Sequence, residues 1–284
     1  MELRFIKMHG LGNDFIIIDD RDGKIKACRD YPLLSKILCS RHFGIGADGI
    51  CLILDSCDHD IKFKVFNSDG SEAQMCGNAM RCFAKYLYEN RIILKKKIRV
   101  DTEAGTIIPE VIVNDNGVVQ SIKVDMGEPV FLCDDIPFKS NNKTTVKENI
   151  TVKGMEYSVT AVGMGNPHCV IFVDDIRNVD LEKHGPLIES HERFPEKTNV
   201  EFVEVMNSKE LRMRVWERGA GITLACGTGA CASLVAANLA GKADQKAIIH
   251  LDGGDLEIYW NKTTNHIFKT GSATEVFKGK IQIF

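Results

Sequence analysis

The chain has 284 residues, enough for one large domain or two of ordinary size. Its 44% hydrophobic and 26% charged residues are typical of a soluble globular protein. The formal net charge of -3 argues against nucleic acid as the main partner, because proteins that bind a polyanion usually carry a basic excess.

Short strands dominate the predicted elements, and helices are fewer. The strands either alternate in polarity or are rich in β-branched residues. The predicted strands are 15–19, 61–66, 106–113, 118–124, 169–173, 200–205 and 211–216. The predicted helices are 31–41, 78–89, 180–190 and 228–240. This order predicts an α+β protein in which sheets wrap around a central helix in each half.

One uncharged stretch, residues 222–241, is about as long as a membrane is thick. Gly227, Gly229 and several alanines dilute its hydrophobicity, and the helix predicted within it is too short to cross a bilayer. A helix that is apolar on every side is then a buried core helix. We therefore expect no membrane span.

The chain repeats itself at a long period. The sequence GLGN at 10–13 recurs as GMGN at 163–166, and CGNA at 76–79 recurs as CGTG at 226–229. A polar residue also stands nine positions before each Cys-Gly pair, namely Asn67 and Glu217. Two matches in one order predict two similar domains, 1–127 and 128–273, joined where glycine, proline and polar residues punctuate the pattern.

Ten cysteines occur without the apolar core of a signal peptide at the N-terminus, so free thiols in a reducing cytosol are expected. No Cys-x-x-Cys pair is present, which makes a zinc site unexpected. Most of the cysteines are expected to be small buried hydrophobic residues. These are Cys28, Cys39, Cys51, Cys57, Cys82, Cys133, Cys169 and Cys231.

Cys76 and Cys226 differ because each precedes a predicted helix. Unpaired backbone N–H groups and the helix dipole favour a thiolate there, so the pKa of both thiols is expected to be lowered. Asn78 and Thr228 are the candidate N-cap residues. The glycines Gly77 and Gly227 allow a bound group to approach the backbone closely.

Two thiols that face each other suit one chemistry. Inverting a stereocentre requires proton removal from one face and delivery to the other, which a thiolate and a thiol perform together. No phosphate-binding or dinucleotide-binding loop is recognised, so no cofactor is expected to accept the negative charge. Helix N-termini aimed at the substrate would stabilise the carbanion instead.

Polar residues near these landmarks suit a zwitterionic substrate. Asn13 and Asn166 end the matched glycine loops and are candidate substrate ligands. Arg218 offers a cation for a carboxylate, and its neighbour Glu217 offers a partner for an ammonium group. Further candidates are His168, which could adjust thiol protonation, and Asn67 and Asn199, which could add neutral hydrogen bonds.

The sequence resembles the diaminopimelate epimerase family in motifs that span nearly the whole chain. They are HGLGNDF at 9–15, FNSDGSEA at 66–73, MCGN at 75–78, GNPH at 165–168, ERG at 217–219 and ACGTG at 225–229. The resemblance implies interconversion of LL- and meso-diaminopimelate, in lysine and peptidoglycan precursor biosynthesis, without cofactor or metal. It implies Cys76 and Cys226 as the two bases, with His168 and Glu217 influencing protonation. The implied substrate-binding residues are Asn13, Asn67, Gly77, Asn78, Asn166, Asn199, Glu217, Arg218, Gly227 and Thr228.

The resemblance also implies a fold and an assembly. The fold is two pseudo-symmetric domains, each a strand-rich barrel-like sheet around a central helix, with a C-terminal strand at 274–284 returning to the first domain. A cytoplasmic homodimer is implied. One departure is that some members carry a substrate-contacting glutamine where this chain has Ala47-Asp48-Gly49, so that contact is absent or made by the backbone.

Two alternatives stay open. A racemase of the same fold could act on another amino acid, although Asn78 argues against the proline type. A thiol redox or sensor protein could instead join the two cysteines in a disulfide if their Cα atoms came within about 7 Å.

Overall fold

The computed structural model describes residues 1–133 and 135–283. The chain forms two compact units, unit 1 being Met1–Asp125 with Thr270–Phe284 and unit 2 being Met126–Lys269. Asp134, in the predicted second domain, and Phe284, the last residue of the predicted returning strand, lie outside the described residues.

Unit 1 consists mainly of strands. Its strands are β1 (Glu2–Gly10), β2 (Asn13–Asp19), β3 (Gly49–Leu54), β4 (Ile61–Asn67), β5 (Glu72–Ala73), β6 (Val100–Thr102), β7 (Gly105–Ile107), β8 (Glu110–Val113), β9 (Val119–Asp125) and β19 (Thr274–Gln282). Its helices are α1 (Lys24–Cys28), α2 (Tyr31–Cys39) and α3 (Gly77–Glu89).

Unit 2 has a similar make-up. Its strands are β10 (Glu148–Val152), β11 (Met155–Gly163), β12 (Pro167–Val173), β13 (Asn199–Asn207), β14 (Glu210–Glu217), β15 (Gly221–Thr223), β16 (Lys246–Leu251), β17 (Gly254–Asn261) and β18 (His266–Gly271). Its helices are α4 (Leu181–Glu189) and α5 (Gly227–Leu239), with one 3₁₀ turn at Ile176–Asn178.

The two units share one strand order. Unit 1 runs β19-β1-β2-β3-β4-β6-β7, and unit 2 runs β10-β11-β12-β13-β14-β16-β17-β18. Each unit contains an antiparallel hairpin, formed by β1 and β2 in unit 1 and by β11 and β12 in unit 2. The second strand of each hairpin is followed by a helical connection and then by a parallel neighbour, β3 or β13. A second parallel crossover, β4 to β6 and β14 to β16, contains the central helix. The repeat read from the sequence is therefore a repeat of topology.

The central helices lie against the sheets of their own units. Helix α5 packs against β11, β12, β13, β14, β16 and β17, and its residues from Gly229 to Ala237 are all buried. Helix α3 packs against β1, β2, β3, β8 and β9. The predicted α+β class and the predicted core helix are confirmed. No helix within the described residues is both long enough and apolar enough to cross a membrane.

Most predicted elements are confirmed within two residues, but one strand is wrong. The predicted strand 106–113 is broken into β7 and β8 at Pro109, because proline cannot donate a ladder hydrogen bond. The carbonyl of Pro109 instead accepts from the N–H of Ile98 at 3.2 Å. The five-residue helix α1 was not predicted. Its first turn is held by Asp20, whose carboxylate accepts from the N–H of Ile25 at 2.8 Å.

The cysteines also depart from expectation at two positions. Cys28 and Cys57 are exposed, not buried, because they lie at the end of α1 and in the loop before β4. The other six cysteines expected to be buried are so, as predicted. They are Cys39, Cys51, Cys82, Cys133, Cys169 and Cys231.

A larger side chain in α5 should destabilise the protein. We expect Ala236→Leu, at a fully buried position, to lower the free energy of unfolding by about 1–3 kcal/mol, because the surrounding strands leave no space. Denaturant unfolding measures this. The control is Ala27→Leu, at an exposed position of α1, which should stay within about 0.5 kcal/mol of the parent. Equal stabilities of the two variants would contradict the packing described here.

Candidate active site

Cys76 and Cys226 are the N-cap residues of the two central helices. Each has an extended backbone, and the helix begins at the glycine that follows. The carbonyls of both accept the first helical hydrogen bonds, at 2.8 Å for Cys76 and 3.0 Å for Cys226. The prediction that Asn78 and Thr228 are N-caps is wrong, because both lie one residue inside the helix. The prediction that the cysteines stand at helix N-termini is confirmed.

In unit 1, a chain of hydrogen bonds fixes the amides beside Cys76. Asn13 donates to Asp48 Oδ2 at 2.7 Å, so its own Oδ1 faces the other way and accepts from Asn78 Nδ2 at 3.1 Å. Arg81, fully buried in α3, donates to Asn78 Oδ1 at 2.9 Å. The Cys76 sulphur lies 4.0 Å from the same oxygen of Asn13. Three of the predicted site residues of this unit are therefore brought together.

Asn67 stands apart from this hydrogen-bonded chain. It ends β4 with an exposed side chain that donates to Ser71 Oγ at 2.9 Å. Asp48 and Arg81, which orient Asn13 and Asn78, were missed as site residues. No local pattern marks Asp48, because its contact with Asn13 joins residues that are 35 positions apart in the sequence.

In unit 2, His168 lies between Asn166 and Glu201 in a series of hydrogen bonds. Its Nε2 lies 2.9 Å from Asn166 Oδ1, and its Nδ1 lies 2.6 Å from Glu201 Oε1. His168 and Glu201 are fully buried. Glu201 was missed, although a glutamate that lies between apolar residues of the strand β13 is a recognisable signal.

Asn199 and Arg218 are hydrogen-bonded to each other just past the end of β14. Asn199 donates to the carbonyl of Pro167 and accepts from the N–H of Arg218, both at 2.9 Å. The exposed guanidinium of Arg218 donates to the carbonyl of Glu196 at 3.0 Å.

Two hydroxyl groups complete this region. The Thr223 hydroxyl donates to Glu217 Oε1 at 2.5 Å. The Thr228 hydroxyl lies 3.5 Å from the Cys226 sulphur.

The electrostatics of Cys226 contradict one expectation. Burial raises the pKa of this thiol well above its usual value, and the carboxylates of Glu217 and Glu201 raise it further. The Thr228 hydroxyl and the N–H of Gly229 act in the opposite direction but do not prevail. The predicted lowering of the pKa is therefore wrong for Cys226, because desolvation of the charged form outweighs the helix N-terminus.

Ligand-type atoms of His168, Glu201 and Cys226 lie within 4.8 Å of one another. Both nitrogens of the His168 ring are already engaged in hydrogen bonds, to Asn166 and to Glu201. A metal ion could bind His168 here only by displacing one of these two hydrogen-bond partners.

The fold is shared with solved structures of other proteins. It matches a hydroxyproline epimerase from Agrobacterium vitis with a TM-score of 0.70 at 14% identity, covering 99% of this chain and 92% of that one. It also matches a PhzF-family phenazine biosynthesis protein from Bacillus anthracis with a TM-score of 0.70 at 15% identity, covering all of both chains. The chain thus has a fold found in amino-acid epimerases.

Sequence comparison is more specific. The family model described as Diaminopimelate epimerase matches residues 5–132 and 160–276. A diaminopimelate epimerase of Desulforapulum autotrophicum is 59% identical over 283 residues, which cover all of both chains. One of Methanococcus maripaludis is 50% identical over 281 residues, which cover 99% of this chain and all of the relative. The chain belongs to the diaminopimelate epimerase family, a family of isomerases.

The raised pKa of Cys226 predicts a pH dependence of its alkylation. Iodoacetamide reacts with the thiolate, so the rate at Cys226 should rise with pH through a midpoint above that of an ordinary thiol. Site-resolved mass spectrometry over a pH series measures the midpoint. The exposed Cys28 and Cys57 serve as controls in the same sample. A midpoint for Cys226 at or below that of the controls would contradict the assignment, and limited access alone would change the rate but not the midpoint.

Proposed function

We propose that this protein interconverts LL- and meso-diaminopimelate by two-base proton transfer at the α-carbon, with Cys76 and Cys226 as the bases. The observation that carries the proposal is the repeated topology, which makes a cysteine the N-cap of the central helix in both units. Membership of the diaminopimelate epimerase family supports the substrate.

The mechanism uses one thiolate and one thiol on opposite faces of the carbon. The thiolate removes the α-proton, the thiol delivers its own proton to the other face, and the roles exchange in the reverse direction. The raised pKa of Cys226 supports Cys226 as the protonated partner at rest. No cofactor or metal takes part in this proposal.

The N–H groups at the two helix N-termini stabilise the developing carbanion. Gly77 and Gly227 are the first residues of these helices and leave the backbone accessible. Arg218 binds a substrate carboxylate, and Glu217 binds an ammonium group and influences thiol protonation. His168 also influences protonation. The remaining proposed substrate-binding residues are Asn13, Asn67, Asn78, Asn166, Asn199 and Thr228.

We further propose that the two units correspond to two epimerase domains, 1–127 with the strand 274–284, and 128–273. The repeated strand order supports this division. By resemblance to its family, we propose that the enzyme acts as a cytoplasmic homodimer on a small-molecule substrate.

The two-base mechanism predicts that each cysteine is indispensable. Cys76→Ala and Cys226→Ala should each abolish epimerisation, because each removes one of the two proton carriers. Cys→Ser variants should be slow, since a hydroxyl is a much poorer acid or base near pH 7. The assay follows the enzyme-catalysed conversion of LL- to meso-diaminopimelate, with the two stereoisomers separated by chiral chromatography. The control variant is Cys28→Ala, which changes an exposed cysteine. Full turnover by either alanine variant would exclude the two-base mechanism.

A substrate panel separates the alternatives. Diaminopimelate, lysine, histidine and proline would each be incubated with the enzyme in D2O and scored for deuterium at the α-carbon. We expect exchange with diaminopimelate. Exchange only with another amino acid would overturn the substrate and retain the chemistry. Thiol exchange without any α-exchange would indicate a redox protein.

A further inference from the structure

Three side chains that can bind a metal ion meet at the start of α5. One ligand atom from each of His168, Glu201 and Cys226 lies within 4.8 Å of the others, and all three residues are buried. Imidazole, carboxylate and thiolate are the ligands that proteins use for Zn²⁺, whereas Mg²⁺ and Ca²⁺ take oxygen ligands. The ligands come from β12, β13 and the residue before α5, so no short Cys-x-x-Cys motif marks them. The donor set therefore indicates zinc.

The hydrogen bonds of His168 resemble those of a histidine that binds a metal ion. Such a histidine usually donates the N–H of one ring nitrogen to an acceptor and binds the metal through the other nitrogen. Nε2 of His168 lies 2.9 Å from Asn166 Oδ1, which is an acceptor. Nδ1 faces Glu201 Oε1 at 2.6 Å. A metal ion at Nδ1 would displace Glu201 as a hydrogen-bond partner and gain it as a ligand.

Glu201 has an unused oxygen and free space beside it. Its Oε2 is buried and has no hydrogen-bond partner among the described residues, although buried polar atoms are normally paired. The neighbouring residue of α5 is Gly229. A Cβ atom there would lie 2.7 Å from Glu201 Oε1 and 3.3 Å from the Cβ of Cys226. The missing methyl group therefore leaves space that borders both the carboxylate and the cysteine.

Only a small rearrangement is needed to hold zinc. Zinc lies about 2.0–2.3 Å from its ligand atoms, which are then about 3.3–3.6 Å apart in a tetrahedral shell. The contact of 2.6 Å between His168 Nδ1 and Glu201 Oε1 must therefore widen by about 1 Å. Rotation of the Glu201 carboxyl group into the space beside Gly229 supplies this change.

Binding exchanges one Zn²⁺ for two protons. One is the proton in the contact between His168 Nδ1 and Glu201 Oε1, whichever atom holds it. The other is the proton of the Cys226 thiol, which an ordinary thiol carries at neutral pH. Zinc forms bonds to sulphur, nitrogen and oxygen, while the S–H bond and the shared hydrogen bond break. The net charge of the buried group is unchanged, so the cost of burying an unpaired ion is avoided.

Two other charged groups act on the same place in opposite directions. The carboxylate of Glu217 on β14 raises the pKa of the Cys226 thiol, and its negative charge favours a nearby cation. Lys269 on β18 opposes a cation, since its Nζ is the atom nearest to the position that a Cβ on Gly227 would take. Neither group is altered in the tests below.

The corresponding positions of unit 1 carry different side chains. The parallel pair β2 and β3 corresponds to the pair β12 and β13. Phe15 occupies the position of His168, and Cys51 occupies the position of Glu201, two residues further along the second strand. A phenylalanine offers no ligand atom, so we expect zinc to distinguish Cys226 from Cys76.

We propose that His168, Glu201 and Cys226 form a Zn²⁺ site that inhibits the enzyme when it is filled. The metal binds Nδ1 of the imidazole, the carboxylate and the sulphur. Inhibition rests on the proposed function, because a thiolate held by zinc has given up its proton and cannot deliver one to the substrate carbon. Binding of the metal does not rest on it.

The first test is protection of Cys226 from iodoacetamide in chelator-treated protein. The exposed thiols are removed by Cys28→Ala and Cys57→Ala, and the remaining cysteines are followed by mass spectrometry. We expect saturating Zn²⁺ to slow alkylation of Cys226 about tenfold or more, because the metal-bound sulphur is a poor nucleophile, with Cys76 unchanged. Mg²⁺ at the same concentration should have no effect. An unchanged rate at Cys226, or equal slowing at both cysteines, would overturn the proposal.

The second test assigns the ligands. Glu201→Gln and His168→Gln should each raise the Zn²⁺ concentration for half-maximal protection about 100-fold, because losing a ligand costs at least as much as losing an outer-shell partner. The control is Glu204→Gln on the same strand, whose carboxylate accepts from the N–H of Ile176 at 3.1 Å. It should leave the zinc dependence unchanged. Parental zinc dependence in Glu201→Gln or His168→Gln would contradict the assignment.

A spectroscopic measurement avoids dependence on the folding of those two variants. Co²⁺ accepts the same ligands as Zn²⁺ and absorbs by sulphur-to-metal charge transfer when a thiolate binds it. In the protein lacking Cys28 and Cys57, we expect this absorption to saturate at one equivalent and to disappear when Zn²⁺ is added. Its absence would overturn the site.

The two proposals fail separately. The binding measurements use protein without substrate, so absence of binding would overturn the zinc site and leave the proposed function untouched. Zinc binding that left epimerisation of diaminopimelate unchanged would instead overturn the inhibition, together with the role of Cys226 as a base.

Discussion

The start of each central helix is the constraint on which the arrangement of the site depends. A parallel crossover must carry the chain from one strand, over the sheet, to a strand of the same direction. Here the crossovers from β4 to β6 and from β14 to β16 do so through α3 and α5. Because the cysteine is the N-cap in both, each thiol stands at the end of the helix where backbone N–H groups have no partner within the helix. In each unit, the polar side chains described above lie near this point.

Burial competes with that favourable position. A helix N-terminus lowers the pKa of a thiol, whereas removal from water raises it. At Cys226 burial prevails, and the carboxylates of Glu217 and Glu201 add to it. A two-base reaction benefits from this outcome, since one of the two thiols must hold its proton at rest.

Much of the architecture could be predicted from the sequence, because tight turns and helix starts require particular residues at particular positions. The glycine loops and Cys-Gly pairs recur since both units need the same turns and helix starts. What could not be predicted depends on long-range register. Glu201 meets His168 across 33 residues and Asp48 meets Asn13 across 35. The pKa of Cys226 likewise depends on how deeply α5 is buried, which a helix pattern alone does not reveal.

Comparison of the two units also shows that the side chains around the two cysteines differ. Backbone features that place the cysteines are the same in both units, whereas the side chains beneath them are not. Unit 1 surrounds its sulphur with amides oriented by Asp48 and Arg81, and unit 2 with the buried pair of His168 and Glu201. In the proposed mechanism one proton leaves the α-carbon from one face and another arrives at the opposite face, and a protein built from L-residues has no mirror plane to relate the two proton carriers. Different surroundings for the two thiols are compatible with this requirement, and Asp48, Arg81 and Glu201, which help to distinguish them, lie outside the motifs that match between the two units.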